Sequence, residues 1–216
     1  MKYQIGPEPE LLKEIGQVMV NYSQCESSIH GIFQTVMGLD EGQMYLLVSK
    51  ANLNTEKMVA VIRSEIHQVR PTLLQQSVLD GLTLFTTSTP MRNAVAHWQW
   101  AVTTGLVGTA INSLKAKPNQ DPDVRHYTLK DLQLISWQIA KATFLLMDAS
   151  VLMTTATRSA LAGESWRQLP YELAANIDRR NQLIEIAIQN IRQRIDEYEG
   201  EHFSSEPPPS SDIDHL

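Results

Sequence analysis

The sequence predicts an all-α fold: a bundle of six to seven helices with a small β-hairpin inserted after the helix that ends near His97. Three observations carry this reading. Residues from about Pro9 to Met37 hold a sustained apolar stripe at alternating spacings of four and three. Two later segments, from Thr128 to Leu161 and from Pro170 to Tyr198, carry long stripes of the same helical kind. Between them, β-branched residues flank Thr104 and Gly105, the pattern of a hairpin.

The elements follow in order. In the first helix Leu11, Ile15, Val18, Tyr22, Cys25, Ile29, Ile32 and Val36 form a seam suited to lengthwise packing on another helix. Gly38 is its expected stop, and Asp40 caps a short second helix through Met44, Leu46 and Leu47. A third helix starts near Asn54 or Thr55 and turns Met58, Ile62, Ile66 and Val69 inward until Pro71 interrupts it. A fourth carries Leu74, Val78, Leu82 and Phe85 on one side. Pro90 either kinks a continuing helix or sits in the first turn of a new one; the second is preferred, with Ser88 or Thr89 as cap. The hairpin follows, then a loop at "KPNQDPD" and a short third strand at "VRHY". Thr128 and Asp131 make a capping-box-like start to a long helix whose expected stripe is Leu132, Ile135, Ile139, Phe144, Met147, Val151 and Leu152. After a loop at "AGESW", the last helix carries Leu173, Ile177, Ile184, Ile188, Ile191 and Ile195.

Residues 1–162 thus make the main helical domain, with its β insertion at about 98–127. Residues 163–200 are a long C-terminal helix packing on or extending from the bundle, and 201–216 have the composition of a disordered acidic Pro/Ser tail. The chain's 216 residues, 43% of them hydrophobic, suffice for a real core. Its richest apolar stretch, "ATFLLMDASVLM", is broken by Asp148, so no membrane partner is expected. The N-terminus lacks the layout of a signal peptide, and the single cysteine, Cys25, cannot form an internal disulfide; a reducing cytoplasm is the expected compartment. Net charge is −6, but seven acidic residues lie from Asp196 onward, where there is no Lys or Arg. The body is close to neutral, which permits a local basic groove.

Several chemistries lack their motifs. There is no phosphate-binding loop with a lysine, "GLVGTA" lacks the remaining glycine of a dinucleotide fingerprint, and "GESW" is not a nucleophile elbow. No HExxH, CxxC or EF-hand loop occurs and the six histidines are scattered, so neither a cofactor nor a metal site is expected.

What remains is "STPMRNAVAHWQW". On a helix Asn93 and His97 share a face, whereas Arg92 lies about 140° from His97. One helix therefore does not converge all three cleanly, and a symmetric dimer pairing two such segments does. The residue types match RNA cleavage: histidine to move a proton near neutral pH, arginine to stabilise a phosphorane, asparagine to hold phosphate or orient the imidazole. If Pro90 opens a helix, free backbone N–H groups add anion affinity. Structural alternatives stand beside each role: a helix-end histidine for His97, a surface ion pair for Arg92, a cap for Asn93. Trp98 and Trp100 share a face if the segment is a strand, as a lid over the bundle or as a platform for bases. Arg179 and Arg180 lie on a solvated charged face that could also meet phosphates.

"RNAVAH" resembles the Arg-Asn-x-x-x-His signature of the HEPN superfamily. The order of "YSQCESSIHGIF", "LNTEKMVAVI", "RNAVAHWQW", a hairpin and "HYTLKDLQLI" is similar to that of bacterial stand-alone members, over roughly residues 10 to 160. The resemblance implies a compact helical bundle that dimerises through the motif face. It implies metal-independent RNase activity of toxin–antitoxin or antiphage systems, with RNA as substrate and a cognate antitoxin as a candidate partner. Arg92, Asn93 and His97 map onto the motif, and Glu26 on the first helix is the candidate for a nearby acidic position. The last helix and tail depart from the minimal domain. A non-catalytic dimerisation, nucleotide-binding or partner-binding module is the alternative function, and a scaffold whose acidic tail binds a basic partner is a third.

Overall fold

The structure, a computed structural model, describes residues 6–69, 72–101, 107–112, 122–161 and 171–203. Within these, six α-helices surround one apolar core, and a three-stranded antiparallel sheet interrupts them.

Helix α1 (Pro9–Met37) begins with proline in its first turn and ends at Gly38, whose φ of 63° is the left-handed conformation that glycine adopts without a Cβ penalty. Leu11, Val18, Tyr22, Cys25, Ile29 and Ile32 of its stripe are buried. Helix α2 (Glu41–Ser49) opens with a full capping box between Asp40 and Gln43. Helix α3 (Thr55–Glu65) is capped by Asn54, whose side chain accepts from Lys57 N, and tightens into a 3-10 turn at Ile66–Gln68.

Helix α4 (Thr72–His97) corrects the expected break at Pro90, which lies inside one continuous helix. The hydroxyls before it bond back into the running helix instead of capping a new one. Thr86, Thr87, Ser88 and Thr89 each donate a hydroxyl to the carbonyl four residues back, at 2.7–3.0 Å. Ser88 and Thr89 thereby serve as helix-interior residues instead of caps.

Strands β1 (Gln99–Trp100), β2 (Val107–Asn112) and β3 (Asp123–Thr128) pair in that order. Ala110 sits opposite both Trp100 and Arg125, which fixes the register. The third strand expected at "VRHY" is present as part of β3. The Thr104–Gly105 turn and most of the "KPNQDPD" loop lie outside the described residues.

The capping box that opens α5 (Leu129–Leu161) is present: Thr128 N donates to Asp131 Oδ2 at 2.7 Å, and Asp131 N donates to Thr128 Oγ1 at 3.1 Å. The expected stripe of α5 needs correction. Leu132, Ile135 and Ile139 are buried, but Phe144 (43%), Met147 (44%) and Val151 (59%) are exposed. Leu145, Leu146, Ala149 and Met153 are buried in their place. Gly81 of α4 explains part of this choice. A Cβ there would stand 2.7 Å from Leu146 Cγ, so the two helices approach closely enough to bury that face. Along the other side α1 runs on α5, registered by Asn21, whose amide donates to Ser136 O at 3.1 Å and Ser136 Oγ at 3.0 Å.

Helix α6 (Tyr171–Phe203) extends past the expected end near Tyr198. Ile188 and Ile195 are buried, while the side chains of Leu173, Ile177 and Ile184 lie outside the described residues. Polar clamps hold it: Arg192 Nη2 to Asp80 at 2.6 Å, and Lys141 Nζ to Glu199 at 2.8 Å. The "AGESW" loop and the tail from Ser204 lie outside the described residues. No helix among the described residues is long and apolar enough to cross a membrane.

Candidate functional site

The last turns of α4 carry the motif. Buried Ala94 and Val95 anchor one face in the core, which turns Asn93 and His97 outward and leaves Arg92 half-buried. Helical arithmetic separated Arg92 from His97, yet the structure brings them together within one subunit. Arg92 Nη1 donates to Asn93 Oδ1 at 2.9 Å and lies 3.4 Å from His97 Nε2. The length of the arginine bridges the angular gap. Guanidinium only donates, so a hydrogen bond at this contact requires Nε2 as its acceptor.

Beneath the guanidinium lies α1. Arg92 Cζ sits 4.0 Å from the centroid of the Tyr22 ring, which is itself stacked on Phe85 at 5.0 Å and 27°. Tyr22 is 5% exposed, as its place in the core stripe implies. Burial raises its phenol pKa, against a hydrogen bond with Thr89 that lowers it. Arg92 Nε is buried without a hydrogen-bond partner among the described residues. Glu26, one turn along α1 from Tyr22, accepts from Thr55 Oγ1 at 3.1 Å. That bond ties its carboxylate to the start of α3, a partner with no local signal in sequence.

The anion-binding amides expected at a helix start beside Pro90 are absent, because α4 runs through and those amides belong to its interior. Attraction for an anion rests on side chains, and on Arg92 first.

Trp98 precedes the sheet instead of lying in a strand, so it does not alternate with Trp100 along one strand face as expected. Trp100 is packed into the fold: its indole donates to Val95 O at 3.0 Å, and its ring lies 5.7 Å from that of Tyr127. Trp98 is covered by Arg125 of β3, whose Cζ stands 4.8 Å from the indole centroid. Arg125 therefore joins the surroundings of the motif, a contact set by strand register. Arg179 is exposed on α6 among the described residues, and the side chain of Arg180 lies outside them.

A groove of about 890 Å³ lies elsewhere, between α1, α5 and α6, lined by Asn21, Ser136, Trp137, Phe144, Asp148 and Arg194 among others. It contains no motif residue. Its floor amide and hydroxyl, Asn21 and Ser136, already bond each other, whereas Arg92 carries a buried N–H with none of its own. Chemistry marks the motif cluster more strongly than volume marks the groove.

Comparison of the chain with protein-family models, with curated proteins and with solved structures returns no match.

Proposed function

We propose that this chain is a HEPN-type endoribonuclease that cleaves RNA without a metal ion. The observation that carries the reading is the contact of Arg92 Nη1 with both Asn93 Oδ1 and His97 Nε2 at the exposed end of α4. Neutral His97 takes the proton of a ribose 2′-hydroxyl as the oxygen attacks the adjacent phosphorus. Negative charge accumulates on the phosphorane oxygens, where the guanidinium of Arg92 meets it with paired N–H donors. The 5′-oxygen departs with a proton from an imidazolium, leaving a 2′,3′-cyclic phosphate and a 5′-hydroxyl. A second copy of the chain, docked through the motif face, supplies the other imidazole. Asn93 holds the arginine fork, and Trp98 and Arg179 are candidate contacts for the flanking RNA. An RNase of this kind fits a toxin or antiphage component held by a cognate partner protein.

The test is cleavage of RNA in EDTA by the purified chain beside a His97→Ala version, with end-group analysis of the products. Cyclic phosphate ends from the unmodified chain alone are the expected result. Equal cleavage by both, or by neither, removes the enzymatic claim. One feature favours a second reading, a non-catalytic nucleotide- or partner-binding module: Arg92 already engages His97 Nε2, the atom that has to act. Thermal stabilisation by nucleotides without RNA cleavage is its signature.

A further inference from the structure

We infer that Tyr22 is a positioning residue, a ring shelf on α1 that holds the Arg92 guanidinium at the orientation in which it faces Asn93 and His97. The inference rests on the ribonuclease reading for its effect on rate, and on geometry for the positioning itself.

Three observations converge. The guanidinium carbon stands 4.0 Å over the ring centroid, within the range of a cation–π contact. The shelf is rigid, because Tyr22 is buried and stacked on Phe85, a core residue of the same helix that carries Arg92. Finally, Arg92 Nε is buried with no hydrogen-bond acceptor among the described residues. Among the described residues Nη1 carries the hydrogen bonds of the guanidinium, and the Tyr22 ring face lies against its carbon.

A flexible arginine samples many rotamers, and each misplaced one weakens the electrostatic term in the transition state. A shelf that removes those rotamers before substrate arrives acts on turnover more than on binding. Tyr22 reaches no reacting atom and acts through Arg92.

The experiment has two arms. In the first, the Arg92 Nε–H resonance is followed in nitrogen-15-labelled protein. Ring-current displacement is expected in the unmodified chain, retained in Tyr22→Phe and lost in Tyr22→Leu. An Arg92 resonance indifferent to Tyr22→Leu overturns the proposal. In the second arm, RNA cleavage is compared for Tyr22→Phe, Tyr22→Leu, Arg92→Lys and the double variant Tyr22→Leu with Arg92→Lys. Tyr22→Phe stays within about threefold, since the ring face is kept. Tyr22→Leu lowers kcat on the order of tenfold to a hundredfold with KM little changed. The double variant falls no further than Arg92→Lys alone, whereas independent losses that multiply overturn the mechanism. If Tyr22→Leu does not fold, as judged by circular dichroism, Tyr22→Met fills the same space without a ring and replaces it in both arms. Should the unmodified chain prove no more active than His97→Ala while the resonance follows the ring, the shelf stands and the ribonuclease reading falls.

Discussion

Nη1 of Arg92 lies 3.4 Å from Nε2 of His97, five residues along the same helix. Arginine cannot accept a hydrogen bond, so the imidazole must offer its lone pair there. Glutamine at position 97 can still accept from Arg92 but cannot carry a proton. His97→Gln is therefore expected to reduce cleavage by about 10²–10⁴-fold. Binding of a non-cleavable 2′-deoxy oligonucleotide, read by fluorescence anisotropy, should change little. Equal loss of both would show that the histidine only builds the site.

The buried thiol of Cys25 gives the fold an alkaline limit. Burial pushes its pKa from 9.0 up to about 12. Between those values the unfolded chain has given up a proton that the folded chain keeps, so stability falls as pH rises. Tyr22 and Tyr127, raised above 10.0 by burial, act with the same sign at higher pH. Unfolding free energy should decline from about pH 9 upward, by at most about 1.4 kcal/mol per pH unit for one proton, and the melting temperature should fall with it. Cys25→Ala should flatten the first part of that decline, and a slope unchanged by the substitution counts against this assignment.

Pro90 occupies a helix interior, where it offers no N–H to the carbonyl of Thr86. Pro90→Ala restores that donor. Chemical denaturation should show a gain of about 1–3 kcal/mol. A loss would mean that the proline terminates a helix instead of interrupting one.

Gly108 lies under the indole of Trp100, and a Cβ there would stand 2.6 Å from Trp100 Cζ3. The ring cannot retreat freely, since its N–H is bonded to Val95 O. Gly108→Ala is expected to cost about 1–3 kcal/mol. Tryptophan fluorescence should report the displaced indole, and an unchanged emission spectrum and denaturation midpoint would refute the close packing.

Helix starts were legible because their chemistry is local. Asp40 caps α2, Asn54 caps α3, and Thr128 pairs with Asp131 three residues on, as their residue types imply. Helix faces were less legible. Phe144, Met147 and Val151 are apolar at helical spacing, yet the neighbouring helices cover Leu145, Leu146 and Ala149. Periodicity reports that an apolar face exists, and only packing partners such as Gly81 decide which rows they reach. The hydroxyl run before Pro90 misled in a related way. Threonine and serine read as caps when they open a helix, and the same groups back-bond when one is already running. At the candidate site, residue types were readable in "RNAVAH", but their meeting in one subunit depends on the reach of Arg92. Tyr22 was readable as core. That a cation rests on it is a tertiary fact with no counterpart in local spacing.

The unbroken course of α4 makes it a lever. Its crossing with α5 at Gly81 is tight, and Arg92 rides on the same rod about 16 Å further on. A shift at that crossing travels toward Arg92 through the turn where Pro90 leaves one backbone hydrogen bond unmade. Substitutions at Leu146, where a Cβ on Gly81 would stand 2.7 Å from its Cγ, are then expected to reach the cluster through α4. Distance from Arg92 along the chain is no measure of influence over it.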